Sequence, residues 1–185
     1  MDPLKSAELM NSPNRFLSWL FFGTKLIGAI VVVALGALYY NQEKLLYFPT
    51  PPGFPVTPDD NPPGFRSPGE YSKDGQYQKK KGRPEDSITF EDVMVKTEDG
   101  ELIHTWLLLR DDNEVHHHPT LIYFHGNAGN MGFRLQNAVS MFRKSKLNIL
   151  MMDYRGFGKS TGHPTENGIK ADGDAVLKYA AAHPK

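Results

Sequence analysis

Two polar segments of this chain directly follow apolar runs, and their residue types suit chemistry at the end of a strand. His125 to Asn130 reads HGNAGN after the apolar residues 120–124, and Asp153 to Ser160 reads DYRGFGKS after residues 147–152. A strand that ends in glycine and opens a helix presents backbone N–H groups above the sheet, where they can hold an oxyanion. The first segment is therefore predicted to bind an oxyanion. A glycine-rich turn that only lets the helix and the strand pack is the alternative.

The second segment contains two pattern matches that we reject. Gly158 to Gly162 matches G-x-S-x-G and would make Ser160 a nucleophile. A nucleophile elbow places its serine on a sharp turn between strand and helix, whereas Ser160 lies seven positions after Asp153 and Pro164 follows before the helix. The segment also nearly matches a phosphate-binding loop, but an aspartate occupies the first glycine position, which disfavours nucleotide binding. We expect Asp153, Arg155 and Ser160 instead to brace a loop beside the active-site mouth through hydrogen bonds and an ion pair.

Apolar periodicity predicts the strands that carry these segments. Broken alternation in residues 88–95, a turn at residues 97–100 and the apolar residues 102–109 predict a strand, a hairpin turn and a strand. Residues 120–124 are apolar on both faces, as expected of a buried parallel strand, and residues 147–152 predict another strand.

Two helices follow the two polar segments. The first is amphipathic and has Asn130 as its predicted N-cap, and the second is capped by Thr165 and ends near His183 and Pro184. The order strand, helix, strand, helix requires a right-handed parallel arrangement. The sequence therefore predicts an α/β fold over residues 87–185.

The amino-terminal residues differ in kind from the rest. Phe16 to Tyr40 are apolar apart from two hydroxyl residues and one lysine, and this run is long enough to cross a bilayer as a helix. Only Lys44 is basic in the twenty residues after Tyr40, whereas the amino side carries Lys5, Arg15 and Lys25. The positive-inside rule then predicts a signal anchor at 16–40, with a cytoplasmic tail at 1–15 and a lumenal or extracellular remainder. A cleaved signal peptide and a merely buried helix are the alternatives.

A proline-rich stretch separates this run from the predicted fold. Pro49 to Pro68 contain eight prolines in twenty residues, and a polar stretch ending in KKKGR at residues 79–83 follows. Neither a helix nor a central strand can form there, so residues 41–86 are predicted to be an extended connector. A solvated linker is favoured over two alternatives, a ligand for a proline-reading module and a lysine run that binds lipid. The aromatics of LLYFP and PPGFRSP are expected to lie against the folded domain.

Composition narrows the classes of partner and cofactor. The chain carries 21 basic and 21 acidic residues and no cysteine. Balanced charge gives no electrostatic support for a nucleic-acid partner, and the lack of cysteine excludes a disulfide framework and a cysteine-type zinc site. His116 to His118 are adjacent, but successive side chains diverge and no carboxylate has convincing spacing, so a solvated turn is favoured over a metal site. We predict no metal and no cofactor.

Five phrases of the chain together carry a resemblance to a known family. They are LLYFP, GFRSP, EDVMVKTEDGELIHTWLL, LIYFHGNAGN and LMMDYRGFGKSTGHPTENGI. The chain resembles the membrane-anchored α/β-hydrolase-domain proteins of the bud-emergence type, whose hydrolase domain is serine-aminopeptidase-like. The resemblance implies the N-terminal half of an α/β-hydrolase fold behind a single transmembrane helix, with the first four strands in the order 1-2-4-3 and with residues 120–124 as an uncovered sheet edge.

The resemblance also implies roles for the residues of the first segment. The backbone N–H of Asn127 would be the oxyanion donor of this loop, helped by Gly126 and Ala128, and the second donor would come from the residue after the nucleophile. His125 would be a hydrogen-bonded turn residue rather than the catalytic base.

The implied activity is that of a serine hydrolase that cleaves esters, thioesters or amides through an acyl-enzyme. Because the nucleophile strand of the family would follow Lys185, we expect an N-terminal portion that lacks nucleophile, acid and histidine and is inactive as this chain. The alternative is a membrane-tethered interaction or dominant-negative form whose open sheet edge pairs with a partner. The expected partners are the lipid bilayer and, in a full-length form only, a small acyl substrate.

Overall fold

The computed structural model describes residues 13–78, 86–110 and 118–184, and the chain divides into the compact units Met1–Gln42 and Glu43–Lys185. In the first unit, helix α1 spans Pro13–Tyr40. The segment Arg15–Tyr40 of this helix is long enough and apolar enough to cross a membrane, judged by length and composition. Apolar side chains along α1 are exposed, as a lipid-facing helix requires.

The second unit is built on a four-stranded mixed sheet with the order β1-β2-β4-β3. Its strands are β1 (Thr89–Lys96), β2 (Leu102–Leu109), β3 (Thr120–Phe124) and β4 (Asn148–Met152). β2 pairs antiparallel with both β1 and β4, whereas β3 and β4 are parallel. The predicted hairpin, the parallel pair and the strand order 1-2-4-3 are therefore confirmed.

Helices cover both faces of this sheet. The short helix α2 spans Gln42–Leu46, α3 spans Leu135–Lys144 and α4 spans Glu166–Ala182. The apolar face of α3 packs in a cluster with Trp106, Leu108 and Ile149, and the cluster on the other face joins Val176 of α4 to Leu107 and Leu150. Alternate residues of β2 thus enter opposite clusters, which makes the sheet the middle layer of the unit.

The central and edge strands differ in burial. All five residues of β4 are buried, because β2 and β3 pair with it on either side. β3 pairs on one side only, and its Leu121 and Phe124 side chains are 37% and 48% exposed. The expectation of an edge strand is confirmed, whereas full burial of both faces of β3 is wrong for the described residues.

The two predicted N-caps are present. The Asn130 side chain accepts a hydrogen bond from the Gly132 N–H at 3.1 Å, but it caps a 3₁₀ turn at Met131–Arg134, and α3 begins after that turn. The Thr165 hydroxyl accepts from the Gly168 N–H at 3.0 Å at the start of α4. Each cap satisfies a backbone donor that would otherwise lack a partner at a helix start.

The proline-rich stretch is packed against the sheet domain rather than extended in solvent. It contains 3₁₀ turns at Pro58–Asp60 and Pro68–Glu70, and Asn61 and Tyr71 are buried. Phe65 and Phe54 both contact the Phe133 ring, with centroids 6.1 and 5.4 Å away. The solvated-linker interpretation is therefore wrong for residues 43–78, because side chains and backbone of this stretch fill the surface of the domain. The expected packing of its aromatics is confirmed for Phe65, whereas the Phe48 side chain is 50% exposed.

Two sequence predictions lie wholly or partly outside the described residues. These are the lysine run at 79–83 and His116 and His117 of the histidine triplet. In the described part of the chain, no group of three or more histidine, aspartate or glutamate side chains has a metal-binding arrangement.

Candidate active site: the HGNAGN loop and its supports

The HGNAGN segment forms the loop that leaves β3 and enters the 3₁₀ turn before α3. Neither the Gly126 nor the Asn127 N–H has an acceptor within the described residues. The Ala128 N–H instead donates to the Gly126 carbonyl at 2.9 Å. The expectation that Ala128 adds an oxyanion donor is therefore not supported by this geometry, because its N–H is consumed in a tight turn.

The asparagine side chains of this loop bind the proline-rich stretch. The Asn127 carboxamide accepts from the Phe48 N–H at 3.2 Å and donates to the Leu46 carbonyl. Asn130 and Asn61 exchange two hydrogen bonds at 2.7 and 3.1 Å, and both side chains are buried. These pairs tie the loop to the segment at residues 46–61 through the side chains of the loop. Sequence reasoning considered only the backbone of Asn127 and missed this use of its side chain.

Gly132 is where the proline-rich stretch approaches the loop most closely. A Cβ at this position would lie 2.2 Å from the Phe65 carbonyl oxygen and 2.5 Å from the Asn61 amide nitrogen. No side chain fits in that space, so glycine is required for docking of the stretch. The site thus depends on residues far apart in sequence.

Asp153 supports the same loop from inside the domain. Its side chain is fully buried, and its Oδ1 atom accepts from the Met131 N–H at 2.5 Å. His125 Nε2 lies 3.3 Å from Oδ1, and His104 Nδ1 lies 3.7 Å from Oδ2. The carboxylate therefore connects the loop after β4 to both ends of the HGNAGN segment.

Proton positions in this cluster follow from the hydrogen-bond partners. His125 Nδ1 lies 2.7 Å from the Gly126 carbonyl, which can only accept, so Nδ1 carries a hydrogen. Burial favours the neutral acid of Asp153, but His104, His125 and the Met131 N–H outweigh it and lower the pKa of Asp153 below its ordinary value. His125 Nε2 lies 3.3 Å from Asp153 Oδ1 and has no hydrogen-bond partner among the described residues.

The cluster extends to the surface through the hairpin. His104 Nε2 lies 2.8 Å from an Asp92 oxygen, and the Trp106 indole N–H donates to the other oxygen at 3.2 Å. His104 is fully buried, whereas the Asp92 side chain is half exposed. Sequence reasoning missed His104 and Asp92. The available signal was the period of two that places His104 and Trp106 on one face of an otherwise apolar strand.

Ser160 has a structural position. Its hydroxyl accepts from the His104 N–H at 2.9 Å and donates to the Asp153 carbonyl at 2.8 Å. It is 9% exposed, and neither hydrogen-bond partner of its hydroxyl is a side-chain base, whereas an activated nucleophile needs one. The sequence predicted the same bracing role from the spacing between the strand and the helix.

Arg155 joins three elements through ion pairs. Its guanidinium donates to Asp172 of α4 at 2.9 Å and to Asp99 of the hairpin turn at 2.7 and 3.1 Å. Hydrogen bonds from Arg155 and Thr97 lower the pKa of Asp99 to about 2. Burial raises the pKa of Asp172, which Arg155 opposes. A Cβ on Gly168 would lie 2.5 Å from Arg155 Cδ, so α4 can approach this side chain only through a glycine.

The sheet order, the crossover through α3 and the loop at the end of β3 define the class of the chain, which is an α/β-hydrolase-fold protein. It is homologous to Protein bem46 of Schizosaccharomyces pombe, 35% identical over 156 residues, and to the α/β-hydrolase domain-containing protein WAV2 of Arabidopsis thaliana, 31% identical over 168 residues. These alignments cover 84% and 89% of this chain. The resemblance predicted from the five phrases is thereby confirmed.

Other comparisons give the extent of the likeness. The chain spans 45% of the length of each of these two relatives. Among solved structures, the esterase Pf2001 of Pyrococcus furiosus is 25% identical, with a TM-score of 0.45 over 52% of this chain and 36% of that chain. No family model matches the chain.

Proposed function

We propose that this chain carries the oxyanion loop of a membrane-anchored serine hydrolase that cleaves esters, thioesters or amides through an acyl-enzyme. The observation that supports the proposal most directly is the Asn127 N–H, which has no acceptor among the described residues at the end of β3. Oxyanion donors act because they are fixed before the reaction, and removing one typically slows it about 100- to 1,000-fold. The Asn130–Asn61 pair and Asp153 provide that fixation here.

The nucleophile, the acid and the catalytic histidine are proposed to come from residues that follow Lys185 in a longer form of the protein. Ser160 is excluded as the nucleophile because both hydrogen-bonding directions of its hydroxyl are used within the fold. His125 is excluded as the base because its two ring nitrogens face the Gly126 carbonyl and Asp153. The proposal therefore expects the 185-residue chain to be inactive.

A fluorophosphonate probe, which labels activated serines, tests this proposal. The chain of 185 residues is compared with a chimera in which the part of Protein bem46 beyond its aligned segment follows Lys185. We expect labelling of the chimera and of its Ser160→Ala variant, and none of the short chain. Labelling of the short chain that disappears in Ser160→Ala would reverse the assignment, and a folded chimera that is never labelled would refute the hydrolase proposal.

The α1 helix is proposed to be a retained anchor, with the amino terminus in the cytoplasm and the sheet domain on the lumenal or extracellular side. The apolar length of Arg15–Tyr40 and the basic residues before it support this orientation. Protease added outside sealed microsomes should leave residues 43–184 protected and should cut them only after detergent is added. Digestion without detergent would show the opposite orientation.

A second candidate function is a non-catalytic, membrane-tethered form that binds a partner through the edge of β3. This candidate is favoured by the one-sided pairing of β3 and by the exposure of Leu121 and Phe124. The coding sequence after codon 185 separates the two proposals. An open frame with a G-x-S-x-G motif supports the hydrolase, and a stop codon in the mature transcript supports the tethered form.

A further inference from the structure

A clamp fixes Tyr47 beside the oxyanion loop. The Asn127 carboxamide bonds to the backbone of Leu46 on one side of Tyr47 and of Phe48 on the other. The Gly129 N–H also donates to the Phe48 carbonyl at 3.4 Å. The backbone is therefore held on both sides of Tyr47, which places the Cα of this residue beside the loop.

Tyr47 forms one wall of a cavity next to this loop. The cavity has a volume of about 190 Å³, and its walls are Tyr47, His125, Asn127, Tyr154, Phe157 and Ile169. An apolar cavity of about 150 Å³ is large enough to bind benzene. The volume therefore suits a group of about phenyl size.

The walls of this cavity are mainly apolar, and its polar groups are engaged. The Tyr154 hydroxyl donates to the His125 carbonyl at 3.1 Å, and burial raises the pKa of Tyr154, which keeps the phenol neutral. The ring nitrogens of His125 face the Gly126 carbonyl and Asp153. The backbone N–H of Asn127 remains as a donor without an acceptor among the described residues. A mainly apolar chamber lined by a residue whose backbone N–H is unused has the character expected of a site for the acyl part of an ester or amide.

We propose that this cavity is the acyl-binding pocket, that it accepts acyl groups up to about the size of phenylacetyl, and that Tyr47 is the specificity-determining residue that sets this limit. The inference rests on the proposed function, which places the reacting carbonyl at the Asn127 N–H. It assigns a role in substrate selection to the segment that follows α1 in sequence.

Binding without turnover tests this inference in the full chain. The protein is placed in lipid nanodiscs with ¹³C-labelled isoleucine methyl groups and titrated with phenylacetamide and with 1-naphthylacetamide. Ile169 reports on the cavity wall. Ile88 is buried in the core cluster beneath α3, outside the cavity wall, and reports on the fold. We expect a saturable shift of Ile169 with phenylacetamide and at least tenfold weaker binding of the naphthyl probe.

Substitution of Tyr47 should change this preference. Tyr47→Ala is expected to remove the tenfold discrimination, Tyr47→Phe to keep it, and Tyr47→Leu to give an intermediate value if the alanine variant loses the native Ile88 shift. Tyr77→Ala is the matched control, because Tyr77 packs on Tyr71 away from this cavity.

Two results would overturn the inference. One is the absence of a saturable Ile169 shift with phenylacetamide in the wild-type chain, and the other is unchanged discrimination in the folded Tyr47→Ala or Tyr47→Leu variant. Failure of the proposed function has a different signature. In that case the pocket binds phenylacetamide with the stated preference, but the chimera described above is not labelled by the fluorophosphonate probe.

Discussion

The loops that follow β3 and β4 use similar residue types in opposite ways. In the loop at 125–130, side chains bind the protein and two backbone N–H groups have no acceptor among the described residues. In the loop at 153–160, Asp153, Arg155 and Ser160 all direct their polar atoms into the fold. The comparison teaches that a rich set of polar side chains can be wholly structural, so side-chain polarity alone does not mark a ligand site in this fold.

The strongest test of this contrast is loss of the Asp153 carboxylate. Asp153→Ala would leave the buried Met131 N–H without its acceptor and would remove the carboxylate that His104 and His125 face. Each unsatisfied buried polar group costs about 1–3 kcal/mol, and for this cluster we expect a total loss of about 3–5 kcal/mol. Urea unfolding followed by Trp106 fluorescence, in a Trp19→Phe background, measures it. Asp59→Ala, which removes an exposed ion pair, is the control, and an equal small effect of both changes would contradict a supporting role for Asp153.

Glycine substitutions test whether the two loops differ in the space available for a side chain. A Cβ on Gly158 would lie 1.9 Å from Asp153 Oδ2 at a φ of +55°, whereas a Cβ on Gly126 would meet nothing closer than 3.9 Å. Overlap and backbone strain together are expected to cost Gly158→Ala about 2–4 kcal/mol, and Gly126→Ala should be nearly neutral.

Gly100→Ala is the matched control for the cost of backbone strain at a positive φ. Gly100 has a φ of +96°, and nothing lies within 4 Å of the position that an added methyl group would occupy, so only strain should appear. Equal losses in Gly158→Ala and Gly100→Ala, measured by urea unfolding, would show that the close approach of Asp153 contributes nothing.

Loss of the Ser160 hydroxyl is expected to reduce stability by a smaller amount and tests whether this hydroxyl is structural. Ser160→Ala leaves the buried His104 N–H without its acceptor, and an unsatisfied buried donor costs about 1–3 kcal/mol. The half-buried Ser140 of α3 provides Ser140→Ala as a control with little expected change. If Ser160→Ala is as stable as the wild type, the hydroxyl is free for another role, and the structural interpretation of the second loop is wrong.

The smallest expected effect is the acid dependence of the Arg155 network. The pKa of Asp99 is about 2 in the folded chain, below its ordinary value, so its contribution to stability is complete above that ordinary value and is lost as the pH falls towards 2. Thermal midpoints measured between pH 5 and pH 2.5 should therefore fall more steeply in the wild type than in Asp99→Asn. Parallel curves would show that the pair with Arg155 does not stabilise the fold.

Much of the fold was predictable from local patterns. The period of two in residues 88–109 and the turn at 97–100 predict the hairpin, and the caps at Asn130 and Thr165 predict where helical turns begin. The start of α3 was predicted one turn early, because Met131–Arg134 continues the helical spacing as a 3₁₀ turn. The prediction for the proline-rich stretch was wrong because prolines exclude helix and sheet hydrogen bonding but say nothing about docking.

The sequence by itself determined the element order, the apolar helix and the positions of the two loops, since periodicity and capping are local properties of the chain. Only the tertiary structure decided which polar groups remain available. Asn130 pairs with Asn61 and Asn127 holds the backbone beside Tyr47, and both contacts join residues distant in the chain. The contact of His104 with Asp92 joins two adjacent strands. A hydrogen bond consumes a donor wherever its partner lies in sequence, so the unused Asn127 N–H is visible only once the whole described domain is assembled.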